Sequence, residues 1–427
     1  MKQGGLRTIA LLVAAAVAWP AAAQLAASPP APAVASYGAI DTYYATHGNA
    51  SIWLKDAVSR AAAEKLPAIL RRAEVDGLDN GAALAASVEG ALSRGQAADD
   101  RIISSAWVRY VQALKWPVTR VSYGDPALAP RTPSTASILD KAGRATSLPA
   151  HVERVASVNP LYSALREQAL SANAQSDPRV RSALDQLRLV PAKGRAILVD
   201  VPSAELRMIE DGRVVDSMKV IVGKKAQPTP MLAGTIHYVT FNPYWHIPQD
   251  IARKRVAPVV LKRGVGYLKL ARYQTVADFR ERKNELVDPE SIDWEGVADG
   301  SAEVHVRQLA GPQNMMGKMK FGFVNDHGIF LHDTPRKDLF AKDKRFLSNG
   351  CIRLEHAERL AAWLLGREAA PPSDDSELQV RIDKGVPIYV TYLTANVRDG
   401  QLAFADDIYG LDPAGNAAAP AVAASSY

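Results

Sequence analysis

Apolar positions in the first half of the chain recur at the spacing of helices. The positions that share one helical face include Leu66, Ile69, Leu70 and Ala73. The apolar run from Ile102 to Leu114 predicts a second helix that stops at Pro117, and residues 161–189 have the same periodicity. Residues 126–149, rich in Pro, Ser and Thr, predict a loop. The pattern therefore predicts a mostly helical domain over residues 37–190, to which we assign a supporting role.

Near residue 195 the pattern changes to the β-branched runs and short alternations of strands. Strands are predicted over residues 196–202, 205–210, 214–222, 235–241, 320–323, 328–331, 386–393 and 401–404. Asp211-Gly212, between two of these runs, is a strong hairpin signal. We expect a mainly β, sandwich-like domain over residues 195–395 with a closing segment at 396–412. The fold class is then α+β.

A basic stretch with helix and loop character interrupts the strand pattern between residues 249 and 313. Connections of this length inside a compact domain usually form a lid, a binding loop or a subdomain. We interpret the stretch as a lid inserted into the β domain.

The N-terminus has the three-part pattern of a secretory signal peptide. Lys2 and Arg7 flank an N-terminal segment that leads into the apolar run Thr8–Trp19. Small residues at 21–23 then offer a cleavage site. The chain ends are assigned as a signal peptide (1–23), an Ala- and Pro-rich linker (24–36) and a disordered tail (413–427). A short uncleaved anchor is the alternative, although the apolar run is too short to span a bilayer comfortably. No later segment has the pattern of a transmembrane helix, so we expect the mature protein to act outside the cytoplasm.

Length and charge narrow the class of protein. A chain of 427 residues is long enough for two or three domains, and 48% apolar residues is ordinary for a globular protein. The net charge is +6, and removing the two positive charges of the signal peptide leaves +4. Such a mild excess suits an anionic envelope polymer. Because no run of Lys and Arg is interleaved with aromatic residues, we expect no nucleic-acid partner.

The residue with the clearest chemical potential is Cys351, the only cysteine in the chain. It lies in Ser348-Asn349-Gly350-Cys351-Ile352-Arg353, nineteen positions after His332, and has no partner for an internal disulfide. A thiol with a histidine, a glycine and a cation near it is typical of a cysteine nucleophile. Gly350 lets the backbone approach a substrate closely, and the amides of Gly350 and Cys351 can face an oxyanion. His332 ends a strand-like run, which would mount a base rigidly.

An apolar helix is predicted just after Cys351. Its apolar face would hold Leu354, Ala357, Leu360, Ala361 and Leu364, with Gly366 as the stop. The amide dipoles at its N-terminus would lower the thiol pKa, and Arg353 would add positive charge.

Two other interpretations of this region are open on chemistry alone. A lone cysteine is most often a small apolar residue of a core. The second alternative is a metal site, whose ligands would be Asp326, His327, His332 and Asp333. Their spacing fits no standard zinc pattern, so we expect no metal. The remaining histidines of the second half, His237, His305 and His356, are interpreted as structural or surface residues.

The motif and its surroundings resemble a known family. His332, fifteen intervening residues and Ser348-Asn349-Gly350-Cys351-Ile352-Arg353 resemble the signature of the L,D-transpeptidase catalytic domain (YkuD-type). Segments that resemble its larger, Gram-negative branch are Val220–Lys224, Tyr238–Trp245 with Ile247-Pro248, Met316–Phe321 and Leu331–Pro335. The helical half, with Ala73–Leu78, resembles the scaffold domain of that branch. The similarity covers most of residues 37–410.

The resemblance implies a cysteine transpeptidase of peptidoglycan in the periplasm. Cys351 would attack the bond between diaminopimelate and D-Ala in a donor tetrapeptide stem, and D-Ala would leave. His332 would take the thiol proton and then serve the acceptor, which is the side-chain amine of diaminopimelate in a second stem. The product would be a 3-3 cross-link. The family needs no metal or organic cofactor, and carbapenems acylate its members.

Further residues are assigned to the site as oxyanion or substrate-binding positions. They are Ser348, Asn349, Gly350, Arg353, Tyr244, Trp245, Asn314 and Gly317. Arg353 suits a substrate carboxylate or would stabilise the oxyanion loop, and the alternative is an ion pair with Glu355 or a core acid. Ser348 would order the loop. Tyr244 and Trp245 would line the donor cleft or serve plain packing, and the last two would form a cleft edge.

The chain departs from the family pattern at two positions. Asn349 stands where the family usually has His, and its amide donates hydrogen bonds but is not a base. Because the pattern gives the base role to His332, we expect activity to survive. Phe330 stands where close relatives often carry Tyr, so a hydroxyl contact is absent. The sequence has no separate peptidoglycan-binding repeat between the helical domain and the β domain, so substrate capture would be weaker or would rely on the lid.

The acyl acceptor stays open. Water would make the protein an L,D-carboxypeptidase, and a lysine amine of an outer-membrane protein would make it a wall-attachment enzyme. The remaining alternative is a non-catalytic envelope scaffold whose helical half binds other cell-wall synthesis proteins. The intact Cys351 motif argues against that last interpretation.

Overall fold

The computed structural model describes residues 37–115 and 121–412. The predicted signal peptide, linker and C-terminal tail lie outside the described residues, as does Pro117. Helices dominate the first half of the described part and strands the second, which confirms the predicted α+β class.

Short polar side chains begin most helices of the first half. The helices are α1 (Tyr37–Thr46), α2 (Ala57–Ala63), α3 (Leu66–Arg71), α4 (Gly81–Arg94), α5 (Asp99–Leu114), α6 (Thr135–Gly143), α7 (Leu148–Ser157), α8 (Pro160–Ser171) and α9 (Pro178–Leu187). The side chains that accept a hydrogen bond from the first turn are Asp56, Ser134, Ser147, Asn159 and Asp177. Each cap satisfies an N–H that has no partner within its helix.

The predicted loop over residues 126–149 is wrong. It contains a 3-10 turn at Pro126–Leu128, all of α6 and the first residues of α7. Ser134 and Ser147 are helix caps, and Pro149 lies in the first turn of α7, where a missing N–H has no cost. Ser and Pro mark turns and helix starts alike, so composition alone predicted the wrong one.

A buried carboxylate fixes the irregular segment that joins α1 to α2. Asp100, at the start of α5, is 1% exposed. It accepts hydrogen bonds from the backbone N–H groups of Ile52 (2.9 Å), Trp53 (2.8 Å) and Leu54 (2.9 Å), and from the hydroxyls of Ser51 (2.6 Å) and Tyr44. This single side chain therefore takes the place of regular secondary structure for the segment.

The second half contains fourteen of the labelled strands and five helices within the described residues. The strands are β1 (Ser122–Tyr123, which precedes them in the chain), β2 (Arg195–Asp200), β3 (Glu205–Glu210), β4 (Arg213–Gly223), β5 (Leu232–Phe241), β6 (Trp245–His246), β7 (Tyr273–Val276), β8 (His305–Gln308), β9 (Met319–Gly322), β10 (Phe330–His332), β11 (Phe346–Ser348), β12 (Ile352–Leu354), β13 (Leu378–Thr391), β14 (Ala395–Arg398) and β15 (Gln401–Phe404). The helices are α10 (Gln249–Ile251), α11 (Ala257–Arg263), α12 (Gly266–Leu270), α13 (Trp294–Asp299) and α14 (Ala357–Leu365).

Most of these strands form one sheet that closes on itself. The order is β5-β13-β2-β3-β4-β12-β10-β9, and β9 pairs again with β5. The β3–β4 hairpin turns at Asp211 and Gly212, both with positive φ, as predicted. Apolar side chains from opposite sides of the ring, together with the apolar face of α14, form a common core. Because the sheet closes, each strand of the ring is paired on both sides.

The helical half packs against the outer face of this sheet. Along β2, Ile197 and Val199 face the core of the ring, whereas Ala196 and Leu198 pack against the helices. The Gln186 amide links the halves, because it donates to the carbonyl oxygen of Tyr392 at 3.0 Å and accepts from its N–H at 2.7 Å. A strand that is buried on both faces therefore joins the two halves.

The stretch interpreted as a lid has its own small core. It contains α10–α13 and the three-stranded sheet β6-β8-β7, and its buried residues include Ile247, Val256, Val260, Leu268, Trp294 and Val306. A π-helical turn, Ala252–Val256, leads into α11. Pro258 follows it and has no N–H to continue regular helical hydrogen bonding, which favours the wider turn.

No helix in residues 37–115 or 121–412 has the length and apolar character needed to cross a membrane.

The Asp100 network makes a stability prediction. Asp100→Ala should lower the free energy of unfolding by about 3 kcal/mol, because buried backbone donors lose their acceptor. Urea unfolding of the full chain, followed by circular dichroism, measures this loss. Asp79→Ala is the matched control, since the Asp79 side chain is 89% exposed, and it should change stability by less than about 0.5 kcal/mol. Equal stabilities for the two variants would contradict the assigned role of Asp100.

Candidate active site

Two neighbouring parallel strands bring Cys351 and His332 together. β10 pairs with β12 in the register Leu331 opposite Ile352 and His332 opposite Arg353. Leu331 and Ile352 are fully buried in the core of the ring. Because side chains alternate along a strand, His332, Arg353 and the adjoining Cys351 lie on the other face. The pairing therefore places a thiol, an imidazole and a guanidinium on one surface.

His332 is held as a neutral base. Its side chain is buried, and Nδ1 lies 2.5 Å from the carbonyl oxygen of Asp333. A carbonyl only accepts, so Nδ1 carries the proton and Nε2 keeps its lone pair. Burial, with the nearby Arg353 and Lys320 cations, lowers the pKa of His332 to about 3. The imidazole is therefore uncharged at neutral pH.

Cys351 is half-buried and rests as a thiol. Burial raises the pKa of the Cys351 thiol, while a backbone hydrogen bond from Phe330 and the cations of Lys320 and Arg353 oppose the rise. Its Sγ lies 3.9 Å from the carbonyl oxygen of Gly328. A neutral thiol beside a neutral imidazole needs proton transfer before it can attack a carbonyl.

The prediction that a helix N-terminus lies next to Cys351 is wrong. The cysteine is followed by strand β12, and α14 begins only at Ala357. The helix itself and its stop at Gly366, with φ 65°, are confirmed. Ile352 and Leu354 alternate into the core as strand residues, so the periodicity of the helix began later than predicted. The predicted lowering of the thiol pKa does not occur.

A network of hydrogen bonds orders the loop before Cys351. The N–H of Gly350 donates to Ser348 Oγ at 3.1 Å. The carbonyl oxygen of Gly350 accepts from Thr229 Oγ1 at 2.6 Å, and Thr229 Oγ1 accepts from the N–H of Gly223 at 2.9 Å. Gly350 has φ 114°, and a Cβ there would lie 3.1 Å from Ile329 Cδ1. Ser348 thus orders the loop, and it occupies the Gly350 amide in this geometry.

Asn349 points away from this network. The residue is exposed, and its Oδ1 accepts a hydrogen bond from Lys224 Nζ at 3.1 Å. The backbone of Lys224 also anchors the loop, because its N–H donates a hydrogen bond to the carbonyl oxygen of Ser348 at 3.0 Å. The Asn349 side chain therefore contributes to loop anchoring in this structure.

Arg353 is a half-buried cation without an acid partner in the described part of the chain. It forms no ion pair there, including with Glu355, and its buried Nε has no hydrogen-bond partner. Burial lowers the pKa of the Arg353 guanidinium, and the cations of Arg336 and Arg255 act in the same direction. An unneutralised guanidinium beside Cys351 is suited to bind a carboxylate.

The other four predicted site residues make contacts that shape the lid junction. The Arg307 guanidinium lies over the Tyr244 ring at 4.5 Å, and Trp245 packs against the lid core. Asn314 Nδ2 donates to three carbonyl oxygens, those of Pro243, Gln308 and Leu309. A Cβ at Gly317 would lie 2.3 Å from Asp333 Oδ2. These contacts give the four residues a structural role at the lid junction.

Sequence reasoning missed two features of the cleft. Lys320 lies on β9 beside His332, and its position between the buried residues Met319 and Phe321 is the signal that it faces outward. The second is a stack of rings on the lid's own three-stranded sheet. The Phe279 ring stacks on His246 at 4.5 Å and meets His305 edge-on at 4.9 Å.

Metal-ligand geometry is a separate question. Over residues 37–115 and 121–412, no group of three or more His, Cys, Asp or Glu side chains is arranged to hold a metal ion. Asp326 and His327 lie in the loop before β10, whereas His332 is buried at its end.

Comparison with known proteins gives matches to both halves of the chain. A family model described as the L,D-transpeptidase catalytic domain (YkuD) matches residues 194–390. A second model, described as the Scaffold domain, matches residues 38–168.

A curated protein and several solved structures are similar to parts of the chain. A putative L,D-transpeptidase of Haemophilus influenzae is 31% identical over 234 residues, which are 53% of this chain and 46% of that protein. The chain thus spans about half the length of this relative. An L,D-transpeptidase structure from Mycobacterium smegmatis is 14% identical, with TM-score 0.22 over 46% of this chain and 58% of that one. An L,D-transpeptidase in complex with imipenem is also 14% identical, with TM-score 0.22 over 47% and 59%.

The two family matches agree with the motif at Cys351 and with the helical and β-rich halves of the fold. The chain therefore contains an L,D-transpeptidase (YkuD) catalytic domain at residues 194–390 and an N-terminal Scaffold domain at residues 38–168.

Proposed function

We propose that the protein is a peptidoglycan L,D-transpeptidase that uses Cys351 as its nucleophile. The observation that carries the proposal is the common face of β10 and β12, on which the thiol lies beside a histidine whose Nε2 is free to accept a proton. The match to the L,D-transpeptidase catalytic domain supports peptidoglycan as the substrate and the periplasm as the place of action.

The first half-reaction is acylation. His332 Nε2 takes the thiol proton, and the Cys351 sulfur attacks the carbonyl carbon between diaminopimelate and D-Ala of a donor stem. The C–N bond breaks, a thioester forms, and the leaving amine of D-Ala receives the proton from His332. The low pKa of His332 favours this last transfer, because its imidazolium is a strong acid.

The second half-reaction resolves the thioester. The side-chain amine of diaminopimelate in an acceptor stem loses a proton to neutral His332 and attacks the thioester carbonyl. The C–S bond breaks, the thiol regains the proton, and a 3-3 cross-link is released. Arg353 holds a substrate carboxylate next to the nucleophile, since its charge has no acid partner in the described residues. All steps use side chains of this chain.

The same thioester supports two other acceptors, water and a protein lysine. Product analysis by mass spectrometry distinguishes the cross-linked stem, the free tripeptide stem and the lysine adduct. The helical half, which packs on the outer face of the sheet away from Cys351, remains our candidate docking region for other cell-wall synthesis proteins.

A carbapenem tests the nucleophile directly. Residues 24–427 mixed with a carbapenem should gain the mass of one drug molecule, because a reactive thiol opens the β-lactam and stays acylated. Cys351→Ala should gain none and should release no D-Ala from disaccharide tetrapeptide. Adduct formation or D-Ala release in Cys351→Ala would overturn the proposal.

The depressed pKa of His332 predicts an unusual pH profile. A lowered pKa keeps the base neutral down to about pH 3, so the carbapenem acylation rate should change less than about twofold between pH 7.5 and 5. A histidine of ordinary pKa would lose about tenfold of its base form by pH 5.5. Stopped-flow acylation, with circular dichroism as the folding control, measures the profile. A rate that falls with a midpoint near pH 6.5 would contradict the neutral, buried base.

Arg353 should act mainly on the natural substrate. Arg353→Met should lower kcat/KM for tetrapeptide by roughly 30-fold or more, since a desolvated charge–carboxylate contact is lost. Arg353→Lys should recover part of it. Arg336→Met is the matched control, because Arg336 is exposed and already paired with Asp338 at 2.8 Å. The role in substrate binding fails if both Met variants lose activity equally.

A further inference from the structure

Lys320 occupies the same row of the sheet as His332 and Arg353, next to the row of Cys351. β9 runs antiparallel to β10, with Lys320 opposite His332, and β10 continues the row to Arg353 on β12. Met319 and Phe321, the neighbours of Lys320 in the chain, are buried in the core of the ring. The Lys320 side chain therefore lies on the face that carries Cys351.

An aromatic ring holds the Lys320 ammonium on that face. Nζ lies 4.2 Å from the centroid of the Phe330 ring, within the range of a cation–π interaction. Gly322 is opposite Phe330 on β9 and has no side chain to compete for this space. On its other side, the strand register continued by one residue places Phe330 next to Cys351. The Phe330 side chain thus holds the positive charge of Lys320 beside Cys351.

Few negative charges oppose this cation. Lys320 forms no ion pair within 4.0 Å among the described residues, and the carboxylate that acts on its pKa is that of Glu377, which faces His246 Nε2 at 3.6 Å. Burial lowers the pKa of Lys320, whereas Glu377 and Cys351 raise it. The other charged or titratable groups around Cys351 are His332 on β10, Arg353 on β12 and Lys224, which is bonded to Asn349.

The two cations at Cys351 have separable tasks. A substrate carboxylate bound by Arg353 neutralises that guanidinium in the complex, which leaves Lys320 as the cation available to the sulfur. The sulfur carries negative charge only between proton transfer and thioester formation. A cation placed beside it in advance stabilises that charge without reorganisation.

We propose that Lys320 assists the acylation step electrostatically. Its ammonium, fixed on the Phe330 ring, stabilises the Cys351 thiolate as His332 takes the proton. The proposal rests on the proposed function for its place in the reaction, but its electrostatic content belongs to the free protein. It also assigns a task to Phe330, the ring that stands where close relatives often carry Tyr.

Alkylation of Cys351 tests the proposal. The chain has one cysteine, so the iodoacetamide rate of the full chain reports on Cys351 alone. A neighbouring opposite charge lowers the pKa of an acidic group by about one unit or more. At pH 8, Lys320→Met should therefore alkylate about tenfold more slowly than wild type and should be acylated by a carbapenem more slowly by a similar factor. Its alkylation midpoint should lie at higher pH.

Three further variants keep the test decisive. Lys320→Arg retains the charge and should keep most of the rate, whereas Phe330→Leu releases the ammonium and should lose an intermediate part. Lys318→Met is the control for loss of a nearby lysine, because the Lys318 side chain is exposed before β9 begins; it should alkylate as wild type does. Wild-type alkylation in Lys320→Met would overturn the proposal, as would equal slowing in Lys320→Arg.

The same data separate this proposal from the proposed function. Alkylation requires no stem peptide, so absence of D-Ala release in the wild type, with slowed alkylation in Lys320→Met, would reject the transpeptidase proposal and keep the electrostatic one. The converse result, D-Ala release with unchanged alkylation in Lys320→Met, would reject only the role of Lys320.

Discussion

The register between β10 and β12 is the constraint on which the site depends. Leu331 and Ile352 are buried opposite each other in the core, and this burial sets which residues emerge on the other face. A slip by one residue would turn Cys351 into the core and separate it from His332. The Thr229 bond to Gly350 holds the chain just before β12, so the register is supported by backbone contacts as well as by apolar burial.

The electrostatics of the face follow from that register. Lys320, His332 and Arg353 occupy one row across three strands. Two cations in the row disfavour an imidazolium and favour a thiolate, so they act in opposite directions on the two partners of the proton transfer. A proton on His332 is therefore held weakly and, in the proposed reaction, passes readily to the leaving amine. Burial and these two cations together keep the imidazole neutral at rest, and both make the imidazolium a more effective acid.

The sequence predicted the parts of the molecule whose cause is local. The hairpin at Asp211 and Gly212 needs only two residues with positive φ, and strand β3 was predicted with its observed bounds. Features that depend on contacts between distant segments could not be predicted from the local sequence. β12 between Cys351 and α14 forms because β4 and β10 flank it, and Ser134 caps a helix where its composition indicated a loop. Lys320 gains its place from Phe330, a contact made only when β9 and β10 pair.

Closure of the sheet also separates a rigid ring from a lid that has its own core. β10 and β12 are each paired on both sides within a ring that returns to its first strand, so the proposed nucleophile and base are mounted on a rigid frame. The lid has a separate core and meets the frame through the His246–Glu377 contact and the Asn314 hydrogen bonds. Chemistry that needs fixed distances is built on the ring. In the proposed reaction, discrimination among acceptors depends on what can approach the thioester, and we assign it to the lid and to the loops beside it.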